Sequence, residues 1–310
     1  MRRPSWTCST WADVSGTLRL ATRASPQART QTEAIATALV AAGVGAELVF
    51  VETTGDRRQD VPLHVIGGQG VFVKEVQRAV LDGRADAAVH SAKDLPSLGH
   101  PDLLIAAFTA RRDAADVLVG RSLADLPTGA TVATGSVRRR AQLAAARPDL
   151  RFVELRGNIA RRLAQVPDDG SIVMAAAALE VLGLTDRVAE RLDPTRFVPA
   201  VGQGCVAIEA AAGGEVAALL GTVDDAATRR AVEIERAFLA ELGAGCTLPV
   251  GGHVAEGVLH VFLAGSDSPD STGHTPIARD AVALAGDVTD REIARAAARA
   301  AHAAVTRTVA

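Results

Sequence analysis

The sequence predicts an α/β protein, and three observations carry that prediction. Short apolar runs alternate with helix-patterned stretches along most of the chain. Basic residues cluster where the runs give way to helices. The length, 310 residues, suffices for two or three domains with well-buried cores.

Taken in order, Leu18–Ala21 reads as a strand. A helix follows from Pro26 to about Ala42, with Ser25 as N-cap and proline at the first helical position, where its missing N–H costs nothing. Ala46–Val51 is a strand, Phe72–Asp82 a helix, and Asp86–Ser91 and Leu103–Phe108 are apolar enough to be buried strands. A second unit runs from about Asp116 to Ala200. Its strands lie near Thr131–Thr134, Phe152–Leu155 and Ile172–Ala175, its helices at Val137–Ala146, Ile159–Gln165 and Ala177–Leu182. Val198–Gln203 reads as a return crossing, because Cys205–Ala210 is again strand-like. In a third unit, from about Asp224, Ile234, Phe238 and Leu242 recur at helical spacing and make one apolar stripe. Val258–Ala264 and Ala281–Ala285 read as strands, 266–274 as a polar turn, and Thr289 to Glu292 as a capping box opening a last helix.

Composition excludes several classes of function. A net charge of −3 and a pI near 6.2 argue against a nucleic-acid partner held by bulk electrostatics. Aromatics at 3%, with no tyrosine, leave no base-stacking platform. No apolar run approaches a membrane span. Residues 1–16 carry both tryptophans, Trp6 and Trp11, but no continuous apolar core of a signal peptide, and read as a disordered extension. Three scattered cysteines, Cys8, Cys205 and Cys246, fit a reducing cytoplasmic compartment rather than a disulfide framework. No spacing suggests a metal site.

The chemistry-bearing residues fall at strand-to-helix junctions. Arg23 precedes the first helix; Lys93 and Asp94 follow the Asp86–Ser91 strand. Arg138, Arg139 and Arg140 follow Ser136 at a helix start, and Arg156, Arg161 and Arg162 follow another strand. In open α/β sheets ligands sit off the carboxyl ends of strands, where helix N-termini and arginines favour anions. The alternative is a set of solvated arginines, but their recurrence at equivalent junctions favours a polycarboxylate ligand. Asp94 within that basic edge is either a helix cap or a carboxylate for a ligand N–H or a developing cation. His90 reads as a packed strand-end histidine, and the segment from Thr53 to Arg57 as a polar loop able to cover the site. Cys246, in a small-residue loop between a helix and a strand-like segment, is either a small buried residue or a reactive thiol usable as a tether.

Together these segments resemble the porphobilinogen deaminase (hydroxymethylbilane synthase) family. The matching motifs are LRLATRASP, ETTGD, GGQGVFVKE, ADAAVHSAKDLP, ATGSVRRRAQL, RPDL, LRGN, VPAVGQG, IERAFLAELGAGC and PVG, in family order from Leu18 to Gly251. The resemblance implies two periplasmic-binding-protein-like (type II) domains around a cleft, 17–111 with 203–222 and 112–202. It also implies a smaller α/β domain, 223–310, carrying the cofactor cysteine. It implies a cytoplasmic, monomeric transferase that joins four porphobilinogen molecules on a dipyrromethane cofactor bound to Cys246 by a thioether. Asp94 matches the family's catalytic aspartate. Lys93, Thr134, Ser136, Arg138, Arg139 and Arg162 match cofactor-binding positions. Arg23, Ser25, Lys74, Arg156, Arg162 and Gln203 match substrate-binding positions.

The chain departs from the family pattern at Gln69, where many relatives carry lysine, and at Val181, where they carry a substrate-binding arginine. The resemblance leads us to expect Arg161 or Arg140 to supplement the cleft. Two other readings stand beside the transferase: a divergent paralogue with altered pyrrole activity, which the lost cations favour, and an anion-binding protein of the same fold. Retention of Cys246 and Asp94 speaks against a pure binder.

Overall fold

The computed structural model describes residues 16–57, 70, 72–243, 248–265 and 275–307. The N-terminal extension, Gln69, Cys246 and the polar turn 266–274 lie outside the described residues.

The elements of the first sheet are β1 (Leu18–Arg23), α1 (Pro26–Ala41), β2 (Ala46–Val51), α2 (Thr54–Arg57), α3 (Lys74–Leu81), β3 (Ala87–Ser91) and β4 (Leu103–Phe108). The chain then crosses to a second sheet, with β5 (Asp116–Val119), β6 (Thr131–Ala133), α4 (Val137–Ala146), β7 (Arg151–Val153), α5 (Ile159–Leu163), β8 (Ser171–Ala175), α6 (Ala176–Val181) and β9 (Glu190–Arg191). It returns as β10 (Val206–Ala211) and α7 (Glu215–Leu220). α8 (Ala226–Glu241), β11 (Val250–Ala255), β12 (Val258–Ala264), β13 (Ile277–Ala283) and α9 (Asp290–Arg307) form the rest.

The two five-stranded sheets share one plan. The first has the order β2-β1-β3-β10-β4 and the second β7-β6-β8-β5-β9. In each, four strands are parallel and the fourth position is taken by an antiparallel strand that has just arrived from the other sheet, β10 in one and β5 in the other. This is the two-lobed cleft architecture that the resemblance implies, with a three-stranded antiparallel meander, β11-β12-β13, backed by α8 and α9 as the third layer. The central strands β3, β5 and β8 are buried almost throughout, as expected where helices cover both faces of a parallel sheet. Leu20, Leu39 and Ile208 centre one core, Leu179 and Ile172 a second, Leu118 and Leu143 a third on the opposite face of the same sheet. The stripe expected on α8 is the seam of the last layer: Ile234 and Phe238 are buried against Leu259 and Val261, and Leu242 packs beside them.

The two crossings run together. Arg112 N donates to Gly204 O at 2.8 Å and Thr109 N to Val206 O at 3.0 Å. Gly202 sits there at φ +71°, and a Cβ on it would come within 3.0 Å of the Ala92 Cβ. Only glycine lets the returning chain lie this close over the turn that follows β3.

The sequence reading needs several corrections. β1 runs on to Arg23, and the helix expected at Phe72–Asp82 is α3, shorter at both ends; Val73 supplies no side-chain cap. The strand expected at Ala281–Ala285 is β13, earlier by several residues and largely exposed, so it lacks the alternation that sets register. The capping box at Thr289 does not form. Thr289 N and Oγ1 both donate to Asp287 Oδ1, at 2.8 and 2.6 Å, and Asp290 turns back to accept from Ala285 N and Gly286 N.

Candidate active site

Residues at the carboxyl ends of β1, β3, β6 and β7 meet: Arg162 lies within electrostatic reach of Arg23, Asp94, Arg139 and Arg156. β3 ends at Ser91 and the chain tightens into a single 3₁₀ turn, Ala92–Asp94. Ala92 and Leu95 are buried on either side, and Ala92 N donates to Cys205 O at 3.0 Å. The turn is thereby fixed to the return crossing, and its two charged side chains project from a rigid base. Lys93 Nζ donates to Gln203 Oε1 at 3.3 Å. The Gln203 amide donates to Ala114 O at 2.7 Å and to Asp116 Oδ1 at 2.9 Å. One glutamine thus ties the β3 turn to the first residue of β5.

Asp116 is the electrostatic centre of the second sheet. It is buried and accepts from Arg138 Nη1 (2.7 Å), Arg139 Nε (2.9 Å) and Arg139 Nη2 (2.7 Å). Arg138 Nη1 also donates to Val198 O at 2.7 Å, and Arg139 Nη1 to Val173 O at 3.0 Å. Burial works against the Asp116 carboxylate, but Arg138 and Arg139 outweigh it and hold the group far below the usual carboxylate range. Both arginines are brought inward by the first turn of α4, where Ser136 is the N-cap and accepts from Arg139 N at 3.4 Å. Thr134 is buried and its Oγ1 accepts from Ser136 N at 3.2 Å, so its structural role is to shape that cap.

Around this centre the positive charge is in excess. Burial, and then Arg139, push Lys93 down to about 8. Burial, Arg139 and Arg156 push Arg162 down to about 10, and Asp94 opposes them. Arg162 Nε is oriented by Gly157 O at 2.8 Å. Cations lose protons this readily when they are packed together out of water without enough counter-charge, which is the condition a polyanionic ligand relieves. Arg23 joins the group from the first sheet: it lines a cavity with Asp94, Phe72, His90, Ser91 and Thr22.

The structure therefore brings together Arg23, Lys93, Asp94, Arg139, Arg156, Arg162 and Gln203. It does not bring in Lys74, which opens α3 and lines a separate groove with Arg78, Leu98 and His100. Ser25 is the N-cap of α1, accepting from Ala28 N at 3.3 Å. The expectation that Arg140 supplements the cleft is corrected: it is exposed, with its guanidinium 5.8 Å from the Phe152 ring, because α4 already turns Arg138 and Arg139 inward. Arg161 is likewise exposed on α5. His90 is packed as expected, its Nε2 3.2 Å from Glu209 Oε2, which also accepts from Gln77 Nε2 at 2.8 Å. The segment from Thr53 to Arg57, expected as a polar loop, contains the short helix α2 and is pinned to Arg23 through Asp56.

Sequence reasoning missed Asp116, although an acidic residue opening the wholly apolar run Val117–Val119 is a signal for a buried ion pair. It also missed Glu235, which falls on the buried stripe of α8. Glu235 accepts from Arg111 (2.6 and 3.1 Å), Gly202 N (2.8 Å) and Val254 N (2.8 Å), joining the crossings to the third sheet.

A family model described as porphobilinogen deaminase, dipyromethane cofactor binding domain, matches residues 18–218. A porphobilinogen deaminase from Acidothermus cellulolyticus is 46% identical over 293 residues, covering 91% of this chain and 88% of that protein. Another, from Roseiflexus castenholzii, is 48% identical over 246 residues, covering 77% of this chain and 81% of that protein. Among solved structures, the methionine-binding protein MetQ aligns with 69% of this chain and 92% of its own at a TM-score of 0.44 and 12% identity.

Proposed function

The chain belongs to the porphobilinogen deaminase family, and on that premise we propose that its cation-lined cleft is the site of a hydroxymethylbilane synthase. Such an enzyme condenses four porphobilinogen molecules head to tail, releases one ammonia for each, and hydrolyses the product off as hydroxymethylbilane. Cys246 would hold a dipyrromethane as a thioether, and that group would supply the pyrrole carbon that accepts the first unit.

The observation that carries this reading is the crowding of Lys93, Arg139, Arg156, Arg162 and Arg23 around Asp94. Each pyrrole of substrate and cofactor bears an acetate and a propionate, so the donor set fits: guanidinium and ammonium groups for the acids, one carboxylate for the pyrrole N–H groups. Lys93, Arg138, Arg139 and Arg162, with Thr134 and Ser136, hold the cofactor side; Arg23, Ser25, Arg156 and Gln203 serve the substrate side. Arg138 and Arg139 act largely through Asp116, which fixes where their charge lies. Asp94 is the catalytic group. As the carbon–nitrogen bond of porphobilinogen breaks and ammonia departs with the bonding pair, positive charge spreads over the pyrrole, and a fixed carboxylate beside it stabilises that charge.

The domain division that accompanies this reading is 17–111 with 203–222, 112–202, and 223–310, supported by the membership of the three sheets. The proposed partner is the small-molecule substrate alone, bound by a monomer. Among the described residues no helix is long and apolar enough to cross a membrane.

The deciding experiment is the intact mass of the purified protein beside a Cys246→Ala control. The expected result is a mass excess of two linked pyrrole units in the wild type and none in the control. Wild-type protein still unmodified after incubation with porphobilinogen overturns the reading.

Lys93 gives a second expected result. With its pKa near 8, the ammonium that faces the ligand's acids is lost as pH rises through that value, so KM for porphobilinogen should climb above about pH 8. An arginine stays protonated throughout, so Lys93→Arg should flatten that limb of the profile. An unchanged alkaline limb in the variant shows that another group controls it.

A further inference from the structure

Arg23 is held in an arrangement that the assigned chemistry does not require of a simple anion-binding arginine. Its Nε donates to Asp56 Oδ2 at 3.2 Å and its Nη2 to Asp56 Oδ1 at 2.5 Å. Its guanidinium lies over the Phe72 ring, 4.1 Å from the centroid. One edge and one face are therefore engaged, while among the described residues no acceptor is bonded to Nη1. Arg23 and Phe72 both line the cavity that holds Asp94.

We propose that Asp56 is a positioning residue for the reaction: it grips the Nε–Nη2 edge of Arg23 so that the remaining edge is presented to a substrate carboxylate beside Asp94. The proposal rests on the reading of the cleft given above. Three features of the site support positioning over a displaceable gate or an ordinary surface ion pair.

First, Asp56 is itself fixed. Its Oδ2 also accepts from Thr53 Oγ1 at 2.8 Å and Thr53 N at 3.2 Å, and Thr53 is fully buried at the end of β2. A carboxylate meant to yield to an incoming acid would not carry these additional anchors. Second, the backbone is fitted to the ring. A Cβ on Gly55 would lie 2.1 Å from Phe72 Cε1, so the turn that presents Asp56 and the ring that backs Arg23 are in contact, with no room for a side chain between them. Thr54 closes the assembly by donating from N and Oγ1 to Glu75 Oε1 on α3, at 3.0 and 2.5 Å. Third, the pair is about a quarter exposed on both sides and Arg23 lines the cavity that holds Asp94, so its remaining edge is open to a ligand.

The test is steady-state kinetics with porphobilinogen on the holoenzyme, with Tm measured alongside. Asp56→Asn keeps the size and one acceptor but turns an amide N–H toward a guanidinium N–H. It should raise KM by about tenfold, change kcat by less than about threefold, and leave Tm nearly unmoved. Arg23→Gln should raise KM at least as much. Because Asp56 acts through Arg23, the double variant should be no worse than Arg23→Gln alone. Additive effects in the double variant overturn the proposal, and so does an unchanged or lowered KM in Asp56→Asn, the latter showing that the carboxylate merely screens the cleft. If Arg23→Gln leaves KM unchanged, it is the cleft reading at Arg23 that fails. Should Asp56→Asn not fold, Thr53→Val decides: it removes only the Oγ1 anchor and should raise KM by a smaller factor, and no change there counts against positioning.

Discussion

Asp94→Asn should lower kcat for hydroxymethylbilane formation by about 10²–10³-fold while Tm stays close to wild type. The side chain is partly buried, at the end of a turn whose backbone is fixed by Ala92, Leu95 and Gly202 rather than by the carboxylate. Asparagine keeps the volume and an acceptor oxygen, so the fold and ground-state contacts survive. What it removes is the negative charge beside a pyrrole that becomes cationic as ammonia leaves, an interaction stronger in the transition state than before it. The loss should therefore appear in kcat far more than in KM. A variant with wild-type kcat would mean that Asp94 serves only the 3₁₀ turn it ends and that the developing charge is stabilised elsewhere.

The second large effect is on stability. Asp116→Ala should destabilise the protein by about 3–5 kcal/mol, because it leaves two buried guanidiniums facing one another without their shared counter-ion. The side chains of Arg138 and Arg139 are only 6% and 10% exposed, so water cannot take over. Denaturant titration measures the loss; a change below about 1 kcal/mol would show that the two arginines repack outward. The same carboxylate sets part of the acid limb. Asp116 and Glu235 both titrate below their unfolded values, Glu235 near 2 in spite of its burial because Arg111 and His253 outweigh that burial. Their stabilisation is complete above about pH 5 and is lost as pH falls through the folded values. The Asp116 variant should accordingly show a shallower decline in stability below pH 4 than the wild type.

Much of this architecture is legible in the residues. Val137–Ala146, Leu103–Phe108 and Val258–Ala264 are helix and strands with the boundaries their patterns give, because each has a single period and a buried face. The basic strand ends and Asp94 are legible for a different reason: polar side chains directly after apolar strands have few places to go except the cleft edge. Partnership is not legible. Nothing local says that Asp116, on the return side of one sheet, meets arginines two elements later, or that Asp56 crosses to Arg23, since both pairings are created by strand order. β11 is legible only as a strand-like segment after Cys246, without bounds, because Gly251 and Gly252 leave its alternation unmarked. Yet Gly251 is where the strand passes Val198 O, 2.7 Å from a would-be Cβ, so the absent side chain is what permits the packing.

The paired crossings have a mechanical consequence. Two lobes joined by one strand retain three rotations. Joined by two strands that are hydrogen-bonded side by side, at Arg112–Gly204 and Thr109–Val206, they resist twisting and keep mainly the bend about the ribbon. The molecule is then a door rather than a ball joint. Gln203 and the Lys93–Asp94 turn lie against the hinge line itself, where displacement during a swing is smallest. A bend about that ribbon displaces the rim of the cleft more than the turn that carries Lys93 and Asp94.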